Sequence, residues 1–250
     1  MLDTELVHPD ENLEDLQLAG MKILQKKQGF RFGMDTVLLA DFARIGKHDH
    51  VVDFGTGTGV LPLLLSGREK GREYTAFEIQ PEMADMARRS AFLNGLDARM
   101  HVLLADVRQA HLYLHSSSID HVICNPPYFP PGSAYVNPDP ALSVSRHQGE
   151  DGIRPWLTEA MRILKGHGRF SLIYPAQRML EVMQALESAH LIPKRFRLVY
   201  PALDKGANLV LIEAQKDAKP LLHTEPPLIV YDKDGRESEE IRRIYHMAEA

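Results

Sequence analysis

Val51-Val52-Asp53-Phe54-Gly55-Thr56-Gly57-Thr58-Gly59 is the stretch that decides the fold. Its first four residues read as a short strand, and the three glycines end it in a turn where positive φ and close backbone approach are allowed. Leu61, Leu64 and Leu65 then mark a helix, whose N-terminus favours an anion. A dinucleotide fingerprint needs G-x-G-x-x-G, but counting from Gly55 puts Val60 at the last position. The spacing is instead G-x-G-x-G, with a carboxylate at Asp53.

Working outward, short apolar runs alternate with helical patterns. Tyr74 to Glu78 reads as a second strand, and Pro81 opens a helix to about Leu93, stopped by Asn94-Gly95. Met100 to Leu104 gives a third strand ending at Ala105-Asp106, and Ile119 to Cys124 a fourth running into Asn125-Pro126-Pro127-Tyr128. Trp156 to Leu164 reads as a helix stopped by Gly166 and Gly168, Arg169 to Tyr174 as a fifth strand, and 176–190 as a helix. Lys194 to Tyr200 and Leu209 to Gln215 follow without an intervening helix, which predicts a final hairpin. From Pro226 come a short strand, an Asp234-Gly235 turn and a charged helix. The expectation is an α/β domain with a mostly parallel sheet, helices on both faces and a C-terminal antiparallel hairpin. One domain spans 1–250, with an acidic segment at 1–20 and a tail at 217–250 packed on the core.

Composition is that of an ordinary folded protein: 44% hydrophobic, 25% charged, 17 Gly and 16 Pro exclude disorder and collagen-like structure. A single cysteine builds no disulfide framework and points to a reducing compartment, so a cytoplasmic protein is expected. No apolar stretch approaches a membrane span, and Met1 to Gly20 has no Lys, Arg or apolar core of a signal peptide. Net charge is −5, but Asp3, Glu5, Asp10, Glu11, Glu14 and Asp15 crowd the first twenty residues. The rest carries 29 basic against 28 acidic residues. Charge thus permits a nucleic-acid partner without requiring one.

Ligands of open α/β sheets sit at the carboxyl ends of strands. Three such ends finish in an acid: Asp53, Glu78 and Asp106. With Gly55, Gly57 and Gly59, this resembles motif I and its neighbours in S-adenosylmethionine-dependent methyltransferases of the Rossmann-like class I fold. The resemblance implies that Glu78 accepts both ribose hydroxyls and that Asp106 meets the adenine amino group of the cofactor. Asp35 is assigned to the methionine part of the cofactor, with an ordinary helix N-cap as its other reading.

The turn at Asn125 adds the acceptor chemistry. An exocyclic amine donates its lone pair into the adjacent π system and is a poor nucleophile. Two fixed oxygens, Asn125 Oδ1 and the Pro126 carbonyl, can accept both its N–H groups and help the nitrogen become tetrahedral. Tyr128 can stack on a planar acceptor, which is worth about 1–3 kcal/mol for a base. The motif resembles the Asn-Pro-Pro-Tyr amino-methyltransferases, which act on adenine N6 or on glutamine of release factors. Asn125, Pro126 and Tyr128 are therefore catalytic candidates, with Pro127 and Phe129 beside the substrate. Cys124 reads as a buried strand residue.

A wider pattern narrows the family. Phe30-Arg31-Phe32-Gly33-Met34-Asp35-Thr36-Val37-Leu38-Leu39-Ala40, then Cys124 to Phe129, Ser145-Arg146-His147 and Pro226-Pro227-Leu228-Ile229-Val230-Tyr231-Asp232 look like the bacterial tRNA(Val) adenine-37 N6-methyltransferases in their Bacillus-type form. That resemblance implies a tRNA substrate, no metal and no separate target-recognition domain. Thr56 and Thr58 inside the glycine turn differ from other members. Arg146 and His147 are candidates for RNA contact, a surface salt bridge being the alternative. Two other functions stay open: glutamine methylation of release factors, whose enzymes carry an added N-terminal helical domain, and guanine-N2 methylation, whose motif more often ends in Phe. His111 and His115 have i, i+4 spacing but lack a third ligand, and are expected to be a solvated pair.

Overall fold

The computed structural model describes residues 6–28, 32–127 and 152–245. Strands β1 (Glu11–Asp15) and β2 (Lys22–Lys26) pair as an antiparallel hairpin ahead of α1 (Met34–Phe42). Then β3 (His50–Phe54), α2 (Val60–Gly67), β4 (Glu73–Glu78), α3 (Pro81–Leu93) and β5 (Met100–Leu104) alternate regularly. A 3-10 helix (Val107–Leu112) leads to β6 (Ile119–Cys124). Beyond it lie α4 (Arg154–Ile163), β7 (Leu164–Pro175), a 3-10 turn (Ala176–Arg178) and α5 (Met179–Ser188). The chain continues through β8 (Leu191–Ala202), β9 (Leu209–Lys216), β10 (His223–Thr224), β11 (Leu228–Tyr231) and α6 (Glu239–Ile244).

Nine strands form one sheet in the order β10-β8-β9-β7-β6-β3-β4-β5, and β11 also pairs with β8. The central strands β7, β6, β3, β4 and β5 are mutually parallel, and β9 runs antiparallel to both β7 and β8. This is the Rossmann-like α/β architecture expected from the sequence, including the late β8–β9 hairpin. Strand alternation sorts the core into two layers. Val51 and Ile123 face a cluster with Leu38 and Leu39 of α1, Leu63 and Leu65 of α2, and Ile241 of α6. Val52, Phe54, Val122 and Cys124 face the other, with Trp156 and Leu157 of α4 and Val182 of α5. No helix among the described residues is long and apolar enough to cross a membrane.

The chain leaves β3 to build β4 and β5 on one side, then returns to build β6 on the other. That reversal opens a crevice at the carboxyl ends of β3 and β6, the usual ligand position in such sheets. Register aligns Phe54 with Cys124 and Glu78 with Leu104. Gly55 and Asn125 therefore leave the sheet side by side.

Strand β1 of the hairpin lies within what the sequence presented as an acidic segment, and β2 follows directly after it. Glu11 is the reason: it is buried, and its carboxylate takes a two-pronged ion pair from Arg89 of α3 at 2.7 Å on each oxygen. Ser90 Oγ accepts the Leu24 amide, and Asn94 bonds the backbone of Lys22 in both directions, so α3 anchors the hairpin. Removing one member of a buried pair strands the other charge. Arg89→Ala is expected to lower unfolding free energy by about 3 kcal/mol, read as a lower denaturant midpoint at unchanged slope.

Candidate functional site

The three glycines of the turn have positive φ for three different reasons. At Gly55 (φ 74°) a Cβ would lie 3.1 Å from the Trp156 ring, which packs edge-on against Phe54. At Gly59 (φ 88°), which precedes α2, a Cβ would meet Met100 and Ala87 at 2.8 and 3.3 Å, so this glycine lets α2 sit close to the sheet. At Gly57 (φ 58°) a Cβ would meet open space, so the backbone there borders the crevice.

The amides of Gly55 and Thr56 both donate to the Phe77 carbonyl, and the Gly57 amide donates to Glu78 Oε2 at 2.9 Å. These donors are spent on β4, so the turn is no cradle for a diphosphate. The site instead presents acids. Glu78 is buried; its Oε1 takes the Gln80 amide at 2.8 Å, and the Ile79 amide also acts on the carboxylate, whose two oxygens still keep accepting capacity. Burial raises its pKa despite those backbone bonds. Asp53 is buried with neither oxygen hydrogen-bonded among the described residues. Burial pushes its carboxyl up to about 7; the Thr56 hydroxyl, outside hydrogen-bonding geometry, tempers the shift and Glu78 adds to it. An orphaned buried acid beside a second acid with spare lone pairs suits a cationic ligand with hydroxyl groups.

Asp106 is more constrained than the sequence suggested. It caps the 3-10 helix, its Oδ1 accepting the Arg108 amide at 2.9 Å, while its Oδ2 takes the Arg108 guanidinium at 2.8 Å. Burial works to raise its pKa, but the Arg108 hydrogen bonds hold it below the usual carboxylate value. Any ligand amine at Asp106 would share it with Arg108.

Asn125 is half-buried at the end of β6, and its Nδ2 donates to Thr36 Oγ1 in α1 at 3.0 Å. Pro126 is buried and Pro127 exposed. Asp35 lies in the first turn of α1, not at its N-cap, which is Gly33; its carboxylate accepts the Thr36 amide at 2.8 Å. The N-cap reading is thereby corrected. Thr36 was not singled out in the sequence, although it stands in the quoted Gly33-Met34-Asp35-Thr36 run. Tyr128, Phe129, Arg146 and His147 lie outside the described residues.

Two further readings resolve cleanly. Cys124 is fully buried and burial drives its thiol pKa well up, which makes it inert packing. His111 is not half of a solvated pair: its Nδ1 and its amide both meet Glu159 Oε2, at 3.0 and 2.9 Å, tying the 3-10 helix to α4.

A doubly wound sheet whose switch point carries a glycine turn, the buried carboxylates of Asp53 and Glu78 and an Asn-Pro-Pro turn is the arrangement of the class I methyltransferases, enzymes that use S-adenosylmethionine. Residues 33–137 match the methyltransferase small domain family. Over 224 residues the chain is 28% identical to a tRNA1(Val) (adenine(37)-N6)-methyltransferase of Aliivibrio salmonicida, covering 87% of this chain and 90% of that protein. A protein of the same name from Actinobacillus pleuropneumoniae is 23% identical over 232 residues, 92% of this chain and 95% of its own length. The resemblance drawn from the sequence motifs to this family thus extends along most of the chain. Among solved structures, a predicted O-methyltransferase from Agrobacterium tumefaciens superposes with a TM-score of 0.69 at 27% identity, over 87% of this chain and 98% of its own.

Proposed function

We propose that the chain methylates the exocyclic N6 of adenine in tRNA, with adenine-37 of tRNA(Val) as its target, and that it works in the cytoplasm where that substrate is found. The observation that carries this reading is Asn125 standing beside the glycine turn with its amide nitrogen engaged by Thr36. The names of the relatives support tRNA as the substrate. An O-methyl acceptor, as in the name of the Agrobacterium structure, has one proton to lose and gives no use for a pair of fixed carbonyl oxygens.

The chemistry that the cofactor supplies when bound is a sulfonium-activated methyl, so the protein's task is placement. Glu78 accepts the two ribose hydroxyls on its remaining lone pairs. Asp53 and Asp35 offer negative charge to the cationic part of the cofactor, Gly57 lets the backbone come close, and Asp106 meets the adenine amine jointly with Arg108. Gly55 and Gly59 shape the turn. Asn125 Oδ1 and the Pro126 carbonyl accept the two N–H groups of the target amine. Tyr128 stacks on the target base, Pro127 and Phe129 flank it, and Arg146 and His147 contact RNA phosphate.

Incubation with tritiated S-adenosylmethionine and either bulk tRNA or release factors tests the reading. Label in tRNA as N6-methyladenosine is the expected result; label only in release factors, or as N2-methylguanosine, overturns it.

The role of Asp53 gives a pH dependence of definite sign. Its pKa is raised in the ligand-free fold, from 3.8 to about 7, so the folded state holds a proton that the unfolded chain releases. Ligand-free stability is therefore expected to fall as pH rises from about 4 to 7. A cationic cofactor needs the proton gone, so its affinity moves the other way, rising roughly tenfold between pH 6 and 8. Calorimetric titration with S-adenosylmethionine at pH 6, 7 and 8 measures this. Asp53→Asn should flatten the profile.

A further inference from the structure

A side-chain amide has an accepting end and a donating end of nearly equal shape, and only the accepting end suits an amine. What sets the end that Asn125 presents is visible in the contacts at the start of α1. Asn125 Nδ2 lies 3.0 Å from Thr36 Oγ1. A hydroxyl can serve equally as donor or acceptor, so this contact alone would tolerate either orientation. The Thr36 proton, however, is directed to Asp35 Oδ1 at 3.4 Å, and the same carboxylate oxygen accepts the Thr36 amide at 2.8 Å. A carboxylate only accepts. The negative charge on Asp35 draws the Thr36 proton toward it even across this long contact, which leaves Thr36 Oγ1 as the acceptor and favours the amide turning its nitrogen toward it.

We infer that Asp35 and Thr36 are positioning residues: together they form a one-way hydrogen-bond chain, Asn125 to Thr36 to Asp35, that holds Asn125 with Oδ1 toward the acceptor nitrogen. Thr36 is 4% exposed, so water does not substitute readily for its hydroxyl. Thr36 acts through Asn125, and the orientation it sets makes the site specific for a group that donates two hydrogens. Its catalytic consequence rests on the amine-methylation reading; the orientation itself does not.

The test uses the full chain and two variants. Thr36→Val keeps the shape and removes the hydroxyl, while Thr36→Ser keeps the hydroxyl and removes the methyl. In single-turnover methyl transfer to unmodified tRNA(Val) transcript, Thr36→Val is expected to lose roughly tenfold in rate at saturating cofactor and tRNA. S-adenosylhomocysteine affinity and the tRNA concentration for half-saturation should stay within about twofold, and Thr36→Ser should keep nearly the full rate. Independently of any substrate, the Asn125 side-chain amide, assigned by its loss in Asn125→Asp, should exchange slowly with solvent in the ligand-free wild type and in Thr36→Ser, and fast in Thr36→Val. Equal exchange in wild type and Thr36→Val, or Thr36→Ser losing as much rate as Thr36→Val, overturns the proposal. If wild type labels no tRNA, amine methylation of tRNA fails as a reading while the exchange measurement still decides the orientation.

Discussion

Asn125→Ala is expected to abolish at least 99% of single-turnover methyl transfer while S-adenosylhomocysteine still binds. The variant removes one of the two oxygens assigned to the target amine, a loss of about 2.7 kcal/mol in transition-state stabilisation for a hundredfold fall. Pro126 and Pro127 restrict the backbone on the far side, so the turn should survive the substitution. Asn125 is tied to Thr36 of α1 while Glu78 is tied to the Gly57 and Gln80 amides, so the two side chains rest on different supports and cofactor affinity should be spared. The measurement is rapid quench with tritiated cofactor at saturation. Retention of more than about a tenth of the wild-type rate, a loss of 1.4 kcal/mol or less, would show that the double-acceptor role is wrong.

Glu78→Ala should produce the opposite pattern, a large loss of cofactor affinity with the rate at saturating cofactor nearly intact. Two effects combine. The ribose loses charge-assisted hydrogen bonds worth about 1.5–3 kcal/mol, or ten- to a hundredfold in Kd. The Gly57 and Gln80 amides also lose the carboxylate that links the glycine turn to the end of β4. Glu78→Gln leaves only one accepting oxygen for those amides and the ribose, and should bind weakly too. Calorimetry with S-adenosylhomocysteine separates this from Asn125→Ala, and an unchanged Kd in Glu78→Ala would remove Glu78 from the cofactor site.

The parallel core was legible because β3 to β6 are short, largely apolar runs with a polar residue at or near the end, and buried parallel strands carry such apolar runs. Asp53, Glu78 and Asn125 could be marked as candidates for the same reason: they stand where the pattern breaks at a strand end. The hairpin β1–β2 was illegible because its buried positions include polar groups: Glu11, whose charge is met by Arg89 far along the chain, and Gln25, whose amide is bonded to Glu14 and to the Phe32 backbone. Gly166 and Gly168 read as helix stops, yet β7 already begins at Leu164 and carries both glycines, since a Cβ at Gly168 would press on the Lys165 carbonyl at 2.9 Å. Asp106 shows a subtler gap. Its residue type and strand end fit the pattern, but that Arg108 folds back onto it depends on the 3-10 turn between them. Thr36 escaped notice because hydroxyls are common at helix starts, and only the partner 89 positions away gives this one a task.

The outer strand β8 is twelve residues long and has β9 along only one side. Its other side is taken up twice by the chain's own later segments, first by His223 and Thr224, then by Leu228, Ile229 and Tyr231, both running parallel to it. A strand of that length left open would offer a row of unmet amides and carbonyls to any extended chain, including another copy of itself. The segment after β9 therefore acts as a built-in guard against aggregation. Proteolysis between Lys216 and His223 would matter less for the energy of the core than for what the sheet could then recruit.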